Sequence, residues 1–118
     1  MKLRTLSLAL LVTAISLALA PAAISKPAAT KATTVLVTAK EFKFVLSKRS
    51  VPKGAVVFKV KNSGKLPHDF KISGKKTPMV KPGATVTLRV TLTKGAKTYI
   101  CTVPGHSAAG MKGSLRAT

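Results

Sequence analysis

Between Thr85 and Leu92 apolar and polar residues alternate one for one. Val86, Leu88, Val90 and Leu92 interleave with Thr85, Thr87, Arg89 and Thr91. Successive side chains of a strand point to opposite faces, so this period is that of a pleated strand with one face in a core and one in water. Val56, Phe58 and Val60 alternate with Lys59 and Lys61 in the same way, and Phe42, Phe44 and Leu46 form a third set. Turn residues separate the runs: Val51-Pro-Lys-Gly54, Asn62-Ser-Gly64, Ser73-Gly74, Lys81-Pro-Gly83 and Lys94-Gly95. The pattern predicts strands over 34–39, 42–47, 55–61, 68–73, 84–92, 97–101 and 112–117. About seven short strands at this spacing, with no helical period, predict an all-β sandwich.

The first 25 residues follow a different rule. Met1-Lys-Leu-Arg4 is a short basic start, Leu6 to Ala20 is uncharged and apolar, and Pro21 to Ser25 is rich in small residues. That is the order of a secretory signal peptide, and Ala23-Ile24-Ser25 places the expected cut near Ser25. The competing reading is a retained membrane anchor, for which the apolar run is short, since a span takes about 20 residues. No Cys stands near the segment to carry a lipid. Residues 26–33 read as a flexible leader and 34–118 as the folded domain. An exported protein of the periplasm or the extracytoplasmic cell surface is expected.

Composition narrows the chemistry. Of 118 residues 21 are Lys or Arg, and the only acids are Glu41 and Asp69. Two carboxylates leave little scope for paired-carboxylate hydrolysis or a carboxylate-rich Ca²⁺ site. One Cys cannot form an intrachain disulfide. An apolar fraction of 46% is too high for a disordered basic tail.

The rare residues fall together. Cys101, His106 and Met111 share one segment with Cys-x4-His-x4-Met spacing, and Gly and Pro mark the residues after Cys101 as a loop. The other histidine, His68, follows Asn62-Ser-Gly-Lys-Leu-Pro67 at the mouth of another strand. Each residue alone has an ordinary reading: a buried small hydrophobe, core filler, a surface imidazole. If both strands end at one pole, a thiolate, two imidazoles and a thioether meet, a donor set that suits copper in either oxidation state with Met as a weak axial ligand. Metal ligation would also dispose of a free thiol in an oxidising compartment. A binuclear copper site needs two bridging Cys, and a multicopper oxidase needs many more His than two. Structural zinc normally takes four Cys or His ligands. No amide orienter or oxyanion motif accompanies Cys101 and His106 for nucleophilic catalysis, so no enzyme is expected.

On these residues the sequence resembles the small blue copper proteins, the cupredoxins that include plastocyanin, azurin, auracyanin and rusticyanin. Asn62-x-Gly64-x-x-Pro67-His68 looks like the segment carrying the first His ligand, and Tyr99-x-Cys101-x4-His106-x4-Met111-x-Gly113 looks like the C-terminal ligand loop. The four-and-four spacing is similar to auracyanin and rusticyanin. The resemblance spans about residues 34–118 and implies a Greek-key β-sandwich with one type 1 copper ion at one pole, held by His68, Cys101, His106 and Met111. It further implies an exported one-electron carrier; the alternative is an envelope protein for copper storage or delivery. Asp69 stands where many members have Asn, a side chain expected to tie the two ligand-bearing segments together near Thr102.

Removing residues 1–25 takes away Lys2 and Arg4 and leaves a formal charge of +17. Nucleic acid is disfavoured as the partner, because there is an export signal and no base-reading motif. The lysines instead fit steering toward an acidic redox partner, or association with an anionic membrane or cell-wall surface. A monomer is expected, with an uncharged face around His106 ringed by lysines such as Lys65 and Lys112.

Overall fold

A computed structural model describes residue 9, residues 13–23 and residues 31–118. The expected signal peptide and leader fall largely outside the described residues. Among the described residues no helix is long and apolar enough to cross a membrane. Nine strands follow in order: β1 (Thr33–Lys40), β2 (Lys43–Leu46), β3 (Ser50–Val51), β4 (Gly54–Asn62), β5 (Lys71–Ile72), β6 (Lys75–Lys76), β7 (Thr85–Leu92), β8 (Gly95–Ile100) and β9 (Lys112–Ala117).

They form two sheets, ordered β2-β1-β4-β7 and β3-β9-β8-β5-β6. β1 runs parallel to β4 and β3 parallel to β9, while the other pairings are antiparallel. The chain passes from one sheet to the other after β2, β3, β4, β6 and β7, as a Greek-key sandwich requires.

The period-two expectation holds where the pattern is strongest. In β1, Val35, Val37 and Ala39 are buried and their neighbours face outward; in β4, Val56, Phe58, Val60 and Asn62 are buried. Val35, Val37, Val56, Phe58 and Val60 meet Val51, Ile72, Leu115 and Ala117 of the opposite sheet in one continuous core. Phe70 joins the halves, with ring centroids 5.2 Å from Phe58, 5.3 Å from Phe44 and 5.5 Å from Tyr99. Such offset and edge contacts add to the simple burial of the rings.

The run expected as one strand over 68–73 is divided. His68 pairs with Val80 as an isolated bridge, Phe70 N–H donates to the Thr77 hydroxyl at 3.0 Å, and β5 then turns into β6. Ser73 and Gly74 both have positive φ, 48° and 74°, the backbone of a tight two-residue hairpin turn. β3 and β6 bring the strand number above the expected seven; each has only two residues, too short for a period to show.

Phe58 is fully buried at the centre of this core. Phe58→Ala is expected to lower the unfolding free energy of the metal-free protein by about 3–5 kcal/mol. Val45→Ala, at a side chain 51% exposed, should change it by less than about 0.5 kcal/mol. Urea unfolding of both variants checks the assignment of inner and outer faces.

Candidate metal centre

The site begins where β4 ends. Asn62 is fully buried, and its amide organises the loop that follows. Its Nδ2 donates to the carbonyls of Leu66 at 2.7 Å and Val80 at 2.8 Å, while Oδ1 accepts from Gly64 N–H at 2.8 Å. The loop therefore folds around a polar group that would otherwise be costly to bury. It delivers Pro67-His68 beside Val80, where His68 exchanges two backbone hydrogen bonds, of 3.2 and 2.7 Å.

The second half of the site follows β8. Cys101 N–H donates to the Met111 carbonyl at 3.0 Å, and Met111 N–H to the His106 carbonyl at 3.0 Å. These bonds close the loop on itself and hold His106 between its two ends. Gly113 allows Tyr99 to lie across it in the β8–β9 pair; a Cβ at Gly113 would collide with the Tyr99 ring. That contact accounts for both outer residues of the Tyr99-to-Gly113 motif.

His68, Cys101 and His106 then converge, with one potential ligand atom of each lying within 4.8 Å of the others. His68 Nδ1 is 3.1 Å from His106 Nδ1, and Cys101 Sγ is 3.6 Å from His106 Nδ1. Two imidazole nitrogens sharing a tetrahedral first-row metal lie about 3.3 Å apart, and a thiolate and an imidazole about 3.6 Å apart, from bond lengths near 2.0–2.1 and 2.3 Å. Both spacings to His106 are thus those that one shared metal ion would give. Met111 is fully buried and clusters with Cys101 and Ala39, with Phe44 and Val103 packed around them. The structure therefore brings all four sequence-predicted residues to one pole.

Burial pushes the Cys101 thiol above its ordinary pKa, while backbone N–H groups of Asp69 and Val103 act in the opposite direction. Asp69 performs the expected tie. It is 1% exposed, accepts from Thr102 N–H at 2.6 Å and from the Thr102 hydroxyl, and has Lys76 Nζ at 3.9 Å. Two contacts were not foreseen from the sequence. Glu41 Oε1 lies 3.0 Å from His68 Nε2, and the Phe42 ring meets His106 edge-on at 5.1 Å. The rarity of acids is the one signal that could have pointed to Glu41.

The sequence profile of the copper binding proteins of the plastocyanin/azurin family matches residues 7–117. The chain belongs to that family, and its cofactor is copper. Solved structures give the same fold. A reduced auracyanin from Roseiflexus castenholzii superposes with a TM-score of 0.67 at 21% identity, covering 75% of this chain and 99% of that one. Auracyanin A, a "blue" copper protein from Chloroflexus aurantiacus, gives 0.66 at 22% identity over 75% and 100%. An azurin from Methylomonas sp. strain J gives 0.59 at 18% identity over 75% and 99%. No curated protein sequence matches the chain.

Asn62→Ala would remove three hydrogen bonds, leaving the Leu66 carbonyl and the Gly64 N–H without this partner and the Val80 carbonyl with only the His68 N–H. A loss of about 2–4 kcal/mol of folding stability is expected, measured by thermal unfolding of the metal-free protein. A variant as stable as the wild type would show that the loop does not depend on the amide.

Proposed function

We propose that the protein is an exported one-electron carrier whose single type 1 copper ion is held by His68, Cys101, His106 and Met111. The observation that carries this reading is the buried convergence of two imidazoles and a thiol beside Met111 in a chain of a copper-binding family. Copper held by such a donor set would supply a one-electron Cu(II)/Cu(I) couple, with the Met111 thioether as a weak donor that tunes the potential. The protein's part is to keep the donors in place. Buried side chains and loop-closing hydrogen bonds hold them, so little has to move when an electron arrives.

His106 offers the route out. The residue is 9% exposed, at the rim of a pole where Phe42, Leu66, Pro104, Ala108 and Ala109 face solvent. Between Cys101 and Met111 the loop has no charged residue, and Lys65 and Lys112 stand outside it. An apolar contact face inside a basic rim suits a redox protein with acidic residues around its own port. The surplus of lysines also favours an anionic membrane or cell-wall surface over nucleic acid, and the carrier acts as a monomer with no substrate turnover of its own. Residues 1–25 serve as the signal peptide, and the mature protein works in the periplasm or at the extracytoplasmic surface. Copper storage or delivery is the competing role. A carrier retains its copper through repeated oxidation and reduction in the presence of a chelator, whereas a delivery protein gives it up.

Cys101→Ser should abolish the intense thiolate-to-copper absorption; a variant that remains blue would contradict the ligand assignment. Met111→Leu should keep copper bound and raise the potential. A tenfold change in Cu(II)/Cu(I) preference corresponds to about 59 mV for one electron, and a rise of at least that size is expected by voltammetry. An unchanged or lower potential would remove Met111 from the axial position.

Electron transfer with an acidic partner should slow steeply with salt, because the Debye length falls from about 30 Å at 0.01 M to about 3 Å at 1 M. Stopped-flow rates across that range should show the loss in the association step. A flat dependence, or a faster reaction with a basic partner at low salt, would contradict basic steering.

A further inference from the structure

Glu41 occupies the turn between β1 and β2, and it is one of two acids in a chain with 21 basic residues. Its Oε1 accepts from Lys65 N–H at 2.8 Å and Leu66 N–H at 2.8 Å, and lies 3.0 Å from His68 Nε2. We propose that Glu41 is a positioning residue for the metal centre: its carboxylate fixes His68 as the Nε2–H tautomer, aims Nδ1 at the shared site, and lowers the reduction potential. The proposal rests on the reading of His68 as a copper ligand.

The tautomer follows from hydrogen-bond chemistry. An ionised carboxylate only accepts, so the short contact requires a proton on His68 Nε2. A neutral imidazole then carries its lone pair on Nδ1, the atom that faces His106 and Cys101. That atom lies 3.1 Å from His106 Nδ1. Carboxylates placed behind metal-ligating histidines in this way fix ring orientation and make the ligand more basic.

The surroundings are built to admit the carboxylate. A Cβ at Gly64 would fall on the Glu41 carboxyl group, so the glycine of the Asn62-x-Gly64 segment leaves the space that Glu41 fills. Two loop N–H groups, of Lys65 and Leu66, donate to the same Glu41 oxygen, an arrangement that favours the carboxylate form. The next residue, Phe42, braces His106, so a single turn supports both imidazoles. An anion behind His68 favours the more highly charged copper state, which sets the sign of the effect on the potential.

The test uses the full chain, metal-free and copper-loaded, with Glu41→Gln and Glu41→Ala. Gln keeps an acceptor for the two loop amides and removes the charge, and thermal unfolding of that variant verifies that the fold is retained. Competition titrations should show Cu(II) affinity falling about 10–100-fold in Glu41→Gln, with Cu(I) affinity less affected. Each tenfold difference appears as a rise of about 59 mV in potential. Nitrogen NMR of the metal-free protein should show His68 wholly as the Nε2–H tautomer in the wild type and as a mixture in Glu41→Ala. A wild-type potential in Glu41→Gln overturns the proposal whatever Glu41→Ala does, and so does an unchanged tautomer in Glu41→Ala. If the wild type takes up Cu(II) without the intense thiolate band, the copper reading fails instead, and the metal-free tautomer still decides what Glu41 does to His68.

Discussion

The bridge from Asp69 to Thr102 joins the two chain segments on which the centre depends. His68 comes from the connection between β4 and β5, and Cys101 from the end of β8, the neighbour of β5 in its sheet, 33 positions further along the chain. A buried carboxylate without partners would be strongly unfavourable. Here it accepts both the backbone N–H and the hydroxyl of Thr102, with Lys76 nearby. The cost of burying this polar group is offset only when the two segments lie side by side. The remaining ligands follow from that closure, because Met111 is bonded back to Cys101 and His106 is held between them.

Charge gives the molecule a second layer of organisation. Its two carboxylates both lie at the metal pole, one behind His68 and one beside Cys101, while the basic residues are spread over the outer faces and turns. The two acidic side chains are thus gathered where a cation would bind, while the basic outer faces attract anions at a distance. On the proposed carrier reading, binding the metal and meeting an acidic partner make opposite electrostatic demands, which this separation in space would reconcile.

Much of this was legible in the sequence, for identifiable reasons. The strands β1, β7 and β9 bury one face each, as does β4 apart from the buried Val57, and a period of two survives in such strands. The four sulfur and imidazole donors were legible because they are rare and closely spaced. The split of 68–73 was hidden because it depends on Thr77, a residue with no local signal, whose hydroxyl takes the Phe70 amide. Glu41 was hidden for a similar reason: its partner stands 27 positions away, and only the β1–β4 pairing brings the β1–β2 turn over the His68 loop. Contacts made by side chains across sheet edges leave no periodic trace.

The central claim is that one buried thiolate and two imidazoles share a single copper ion with Met111. Titrating the metal-free protein with Cu(II) while recording the visible spectrum tests it most directly. The account predicts an intense thiolate-to-copper band that grows linearly and stops at one equivalent. Weak absorption typical of copper bound by nitrogen and oxygen alone, or growth past one equivalent without a break, would contradict it.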